Sequence, residues 1–135
     1  MSRLDVAGMH VPVEALSRAA WEARKNSRIL GKTPVGCAAL DEAGRVHRGC
    51  NIEHRFRSHD IHAEVAALSA VVTAGGRRLL AVLIAAERDS FTPCGACLDW
   101  VYELGGPDCV VLVQKEPEGE VVSYTAGGLM PHYPR

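Results

Sequence analysis

The sequence predicts an α/β fold, a mixed five-stranded β-sheet with helices on both faces, on three observations. Five short apolar runs bounded by turn residues read as strands, three longer segments read as helices, and the two kinds alternate along the chain. A length of 135 residues gives one domain, residues 1–135, because domains usually take roughly 100–200 residues. No internal repeat, low-complexity run or Pro/Ser-rich linker divides it.

The first helix is expected over residues 12–28. There Val13, Leu16, Ala19, Ala20 and Ala23 recur at steps of three and four, and Pro12 suits a first turn. Residues 34–40 and 46–52 flank the turn Asp41-Glu42-Ala43-Gly44 and form a hairpin. Residues 54–60 carry neither period and form a polar loop. Residues 61–73, rich in Ala, Val and Leu, make the second helix, which Gly75-Gly76 stops. The continuous apolar run at 79–86 fits a strand buried on both faces. Pro93 opens a third helix over 94–104, and Gly105-Gly106-Pro107 ends it. Residues 109–114 return to β character and 121–124 supply the last strand.

Composition narrows the function classes. The 15 Lys and Arg nearly cancel 16 Asp and Glu, for a net charge of −1, so no overall field would gather a nucleic acid polymer or an acidic membrane surface. Hydrophobic residues make up 47%, but no run reaches the roughly 18–20 residues a bilayer requires, so no membrane partner is expected. The start, Met-Ser-Arg-Leu-Asp, lacks the basic and apolar regions of a secretory signal, which points to a cytoplasmic protein. The five cysteines, Cys37, Cys50, Cys94, Cys97 and Cys109, are an odd number with no export signal, so a disulfide framework is not expected.

Two of them carry chemistry. Pro93-Cys94-Gly95-Ala96-Cys97 stands at the start of the third helix and His62-Ala63-Glu64 at the start of the second. A Cys-x-x-Cys pair at a helix N-terminus points both sulfurs to one spot, where backbone N–H groups favour thiolates. With His62 alongside, the set is one imidazole and two thiolates. These are zinc ligands, and three of them leave the fourth tetrahedral position for water, as in catalytic sites. Such a water has a pKa of about 7. Glu64, two residues beyond His62, reaches that water without being a ligand and can shuttle protons. Cys37, Cys50 and Cys109 fall on expected strands as buried packing thiols, and Trp21 and Trp100 on helices as packing residues.

H-x-E followed by P-C-x-x-C is a known signature of zinc-dependent nucleobase deaminases, matched here at every fixed position. The match goes further. Pro34-Val35-Gly36-Cys37-Ala38, Gly49-Cys50-Asn51-Ile52-Glu53, His62-Ala63-Glu64, Pro93-Cys94-Gly95-Ala96-Cys97 and Leu129-Met130-Pro131 follow, in order, the landmarks of the small cytidine deaminases. The chain resembles that family over nearly its whole length. The resemblance implies a three-layer α/β/α sandwich and a homo-oligomer, a tetramer rather than a dimer, whose active sites borrow residues from neighbouring subunits. It implies Zn²⁺ on His62, Cys94 and Cys97, and Glu64 as the catalytic proton shuttle. It also implies that Asn51 and Glu53 bond the ribose hydroxyls, that the backbone beside Ala63 contacts the base, and that the Thr92 carbonyl faces the departing ammonia. The implied reaction is hydrolytic deamination of a small-molecule cytosine nucleoside to the uracil nucleoside and ammonia.

The departures from the family pattern are informative. Small cytidine deaminases usually have a third cysteine at His62 and an arginine at Val65, and often another at Leu98. Three thiolates around a dication leave one net negative charge for an arginine to offset, whereas one imidazole and two thiolates leave none. The substitutions therefore account for one another. Thr33 replaces the aromatic before Pro-Val-Gly, and Arg24-Lys25-Asn26-Ser27-Arg28 replaces a Tyr-x-Pro-Tyr-Ser stretch, which weakens base stacking. His54, Arg55, Arg57 and His59 add cationic groups beside the expected sugar site and point to a modified or anionic cytosine nucleoside. Tyr133, one residue short of the family's terminal aromatic, is a displaced candidate for reaching a neighbouring active site. Two alternatives stand beside this reading. One is deamination of a nucleoside antibiotic of the blasticidin S type; the other is a non-catalytic zinc-stabilised binding module, with His59 closing the metal sphere.

Overall fold

The inner strands are apolar on both sides, successive residues facing opposite faces of the sheet, and that sets the layers. The computed structural model describes residues 4–6 and 9–134. In chain order the elements are β1 (Leu4–Val6), β2 (Met9–Val11), α1 (Val13–Arg24), β3 (Gly36–Asp41), β4 (Val46–Cys50), a 3₁₀ turn (Arg57–His59), α2 (Ala63–Thr73), β5 (Leu79–Ala85), α3 (Gly95–Gly105), β6 (Val110–Gln114), β7 (Val121–Thr125) and α4 (Ala126–Leu129). The main sheet runs β4-β3-β5-β6-β7, parallel between β5 and β6 and antiparallel elsewhere.

One face of this sheet carries Ala38, Leu40, Ala81, Leu83, Ala85, Val110 and Leu112, which pack with Leu16, Ala20 and Trp21 of α1. The other carries Cys37, Ala39, Val82, Ile84, Val111 and Val113, which pack with Ala63, Ala67, Leu68 and Val71 of α2 and with Val101 and Tyr102 of α3. This is the mixed five-stranded sheet and three-layer sandwich expected. Both faces of β5 are covered, which accounts for its unbroken apolar run. Burying one such Leu or Ile contributes about 1.5–3 kcal/mol.

Two motif glycines are explained by packing. A Cβ at Gly36 would lie 1.9 Å from the carbonyl oxygen of Ala20, and one at Gly49 would lie 2.4 Å from the amide nitrogen of Ala67. Their bare Cα atoms let α1 seat on β3 and α2 on β4. The second contact fixes the helix that begins beside His62 and Glu64.

The structure departs from the expected elements in four places. The first helix ends at Arg24, not 28, because the chain then pairs with the segment after β4: the Arg28 N–H donates to the Asn51 carbonyl at 3.1 Å, and the Glu53 N–H donates to the Arg28 carbonyl at 2.8 Å. The loop over 54–60 holds a single 3₁₀ turn. The β1–β2 hairpin was not expected, since three-residue strands are too short to show a period. Neither was α4, whose Ala-Gly-Gly-Leu carries poor helix formers and relies on Thr125 Oγ1 accepting the Gly128 N–H at 3.0 Å. Among the described residues, no helix is long and apolar enough to cross a membrane.

Candidate active site

Helices α2 and α3 both start at the end of the sheet where β3 begins and β4 and β5 finish. His62 is the N-cap of α2 and Cys94 the N-cap of α3. Both backbones are extended there, and neither side chain caps its own helix, so both are free to turn toward one another. Cys97 lies three residues beyond Cys94, on the same side of the first turn. His62 Nδ1 is 3.3 Å from Cys97 Sγ and 3.5 Å from Cys94 Sγ. Zinc bound tetrahedrally by nitrogen and sulfur separates such atoms by about 3.6 Å, so the donor set stands close to the spacing the ion requires.

His59 does not close this sphere. Its ring stacks on His54 at 4.9 Å, and among the described residues only His62, Cys94 and Cys97 gather as potential ligands. Burial, with Glu64 close by, pushes the Cys97 thiol well up. The helix N-terminus alone, credited above with holding both sulfurs as thiolates, is outweighed at Cys97, and a bound dication is the charge that reverses this.

Glu64 sits in the first turn of α2 and is 7% exposed. Burial raises its carboxyl above the usual range, against its own backbone N–H, the charge of His62 and contact with Cys97, which lower it. Val65 is half-buried and Leu98 buried, so no cation replaces the family's arginines at these two positions.

His62, Glu64 and Cys94 line a cleft of ≈ 390 Å³, within the range of small-molecule sites and toward its small end. Thr33, Asn51, Glu53, Ala63 and Thr92 line it too, so the structure brings every expected site residue except the buried Cys97 onto one surface. The side chain of Asn51 braces this wall: Oδ1 accepts the Val35 N–H at 2.9 Å and Nδ2 donates to the Thr33 carbonyl at 2.9 Å. Glu53 Oε1 accepts the N–H groups of Leu30 and Gly31, each at 2.7 Å, and these bonds hold its carboxyl below the usual range.

Three expectations are corrected. Arg57 is not free for an anionic ligand: its guanidinium bonds Glu53 Oε2 at 3.1 Å and Asp60 Oδ2 at 2.9 Å. Arg55 does not line the cleft at all. Tyr133 stacks on Tyr102 of its own α3 at 4.3 Å and hydrogen-bonds Asp99, which ties the tail to its own chain. The remaining thiols divide. Cys37 and Cys109 are buried as expected, and burial pushes Cys109 up to about 12, whereas Cys50 is only half-buried at the end of β4. Trp21 is buried and donates from Nε1 to Gln114, while Trp100 is exposed. Sequence reasoning missed Asp60, Arg88 and Phe91, which also line the cleft. They stand in polar loops without period, where only the fold shows which way a side chain points.

The family model for the cytidine and deoxycytidylate deaminase zinc-binding region matches residues 11–113, a stretch that contains His62, Glu64, Cys94 and Cys97. The chain belongs to this family. Among its relatives, a cytidine deaminase from Sporosarcina psychrophila is 31% identical over 121 residues, 88% of each chain. The crystal structure of cytidine deaminase from Mycobacterium leprae superposes with a TM-score of 0.78 at 35% identity, covering 90% of this chain and 99% of that one. The Burkholderia pseudomallei cytidine deaminase structure gives 0.79 at 32% identity, covering 87% and 95%. Membership of a zinc-binding family agrees with the ligand geometry, and zinc is the cofactor of this site.

Proposed function

We propose that this chain is a zinc-dependent cytidine deaminase, which hydrolyses cytidine or deoxycytidine to the uracil nucleoside and ammonia. The observation that carries the reading is the convergence, in one small cleft, of three zinc donors within 4.8 Å of one another and a buried glutamate two residues from the first. Zinc, when bound, supplies Lewis-acid activation of water near neutral pH. His62, Cys94 and Cys97 hold it. Glu64 takes a proton from the attacking water and delivers it to N3 of the base, then takes the proton of the resulting C4 hydroxyl and passes it to the exocyclic amine, which leaves as ammonia while the C4 carbonyl forms. The Thr92 carbonyl accepts a hydrogen bond from the leaving ammonia, and the backbone at Ala63 meets the base edge. Asn51 keeps a second Nδ2–H, and Glu53 Oε2 keeps accepting capacity beyond Arg57, so both can bond the ribose while bracing the wall. Thr33 borders the base without stacking on it.

The cleft accommodates a nucleoside, and the net charge of −1 gives no field for a polynucleotide. We read the chain as one domain acting in the cytoplasm as a homo-oligomer, a tetramer in preference to a dimer. Exposed Leu30, Ile52, Phe56 and Ile61, grouped on segments around the cleft, support subunit contacts there. The relatives give no support to an antibiotic as the substrate.

The test is ammonia release from cytidine and deoxycytidine by the zinc-loaded protein and by Glu64→Ala. Turnover should fall by about 10²–10⁴-fold in the variant while its zinc content stays at the wild-type level. Near-normal turnover in Glu64→Ala would remove the proton shuttle, and no ammonia from wild type would remove the activity.

A further inference from the structure

Five ionisable residues other than the zinc ligands line the cleft, and four have their partners or their role. Arg57 pairs with both Glu53 and Asp60, and Glu64 faces the metal donors. The fifth is Arg88, in the loop between β5 and α3. Its side chain makes no hydrogen bond or ion pair within the described residues. Both acids beside it are engaged elsewhere: Glu87 pairs with Arg24 of α1 at 3.0 Å, and Asp89 with Lys115 beyond β6 at 3.3 Å.

The backbone explains why these three neighbours diverge. The Arg88 N–H donates to the Ala86 carbonyl at 2.8 Å, which folds the chain tightly as it leaves the sheet. Two residues on, Ser90 takes a left-handed conformation with φ of 41° and returns the chain to Phe91 and Thr92 on the cleft wall. Residues 86, 88 and 91 therefore line the cleft, while 87 and 89 do not. A cation whose flanking carboxylates are tied to other cations is left to meet what enters the cleft.

We propose that Arg88 determines substrate specificity by receiving an anionic group, a carboxylate or a phosphate, carried by the cytosine nucleoside. The proposal rests on the deaminase reading and deepens it. A guanidinium can fork two N–H donors onto either anion, which a neutral hydroxymethyl group cannot match. Arg88 is solvent-exposed, and solvent and salt screen such a pair. The preference it confers is accordingly no more than about fivefold, and it weakens as salt rises.

The experiment compares cytidine, cytidine 5′-monophosphate and cytidine 5′-carboxylate on the zinc-loaded full chain and on Arg88→Ala and Arg88→Lys. The readouts are kcat/KM for ammonia release at low and high salt, and calorimetric Kd for each compound with Glu64→Ala, which does not turn them over. The wild type should favour at least one anionic compound over cytidine. Arg88→Ala should lower that anionic-to-neutral ratio about three- to fivefold, and Arg88→Lys should recover part of it. Which arm responds distinguishes phosphate from carboxylate. A ratio unchanged within twofold in Arg88→Ala, or a wild type that favours cytidine over both anions, overturns the proposal. If the wild type deaminates none of the three, the deaminase reading fails. The binding ratios, measured with Arg88→Ala introduced into the Glu64→Ala protein, then decide the role of Arg88 alone.

Discussion

Nδ1 of His62 stands 3.3 Å from Sγ of Cys97, close enough for one ion to bridge them, with Cys94 as the third donor. The charge of that site is what Val65 and Leu98 leave without a neighbouring cation. One imidazole and two thiolates neutralise zinc, so no cation is needed. His62→Cys should keep zinc but add a negative charge that nothing at these positions offsets. We expect a lower Tm and lower kcat/KM for this variant, and partial recovery when Val65→Arg is added. Val65→Arg alone should be harmful, because it places an unpaired cation beside a neutral site. A double-mutant cycle in Tm and kcat/KM measures the coupling, expected at about 1 kcal/mol. Additive effects would sink the charge argument.

Asn51 ties the segment after β4 to the one before β3 with one carboxamide, and its removal should damage more than substrate binding. Asn51→Ala leaves the Val35 N–H and the Thr33 carbonyl without their partner beside a cleft wall. An unmet buried group costs about 1–3 kcal/mol, so urea unfolding should show a loss of at least about 1 kcal/mol. KM should rise in the same variant as residues 33–35 shift. Full stability with impaired KM would mean that the residue serves the ligand alone.

The difference between what the sequence revealed and what it hid follows from local against tertiary causes. The layers were legible because apolar runs such as residues 79–86 alternate along the chain with helical segments, and the zinc donors because fixed short spacings at two helix starts carry them. Gly36 and Gly49 could be quoted as motif positions, but their reason, a helix backbone pressed against each Cα, is tertiary. The role of Arg57 was misread for the same cause. A basic loop looks available until Glu53 and Asp60 are seen on either side of its guanidinium. Arg88 had no signal at all, since its direction depends on where Glu87 and Asp89 find partners.

Asp41 gives the fold a defined acid sensitivity away from the active site. Its carboxylate, fully buried at the end of β3, accepts the N–H groups of Ala43 and Arg45 at 2.9 Å each on Oδ1, and meets Arg45 Nε at 2.8 Å and His47 Nε2 at 2.9 Å on Oδ2. Burial alone would raise its pKa. The bonds from His47 and from the Arg45 and Ala43 backbone, with the charge of Arg45, outweigh it and hold the group at about 2, against an ordinary 3.8. A carboxyl depressed on folding contributes stability that is complete above its unfolded pKa and is lost as pH falls through the folded one. The window is therefore roughly pH 4 down to pH 2, and the contribution is about 1–2 kcal/mol, allowing for the partial exposure of Arg45. Urea unfolding of wild type and Asp41→Asn at several pH values should show wild type more stable at pH 7, with the gap narrowing below about pH 4. A gap that stays constant into that range would mean the turn gains nothing from the ionised carboxylate and that shape alone, which Asn preserves, holds β3 to β4.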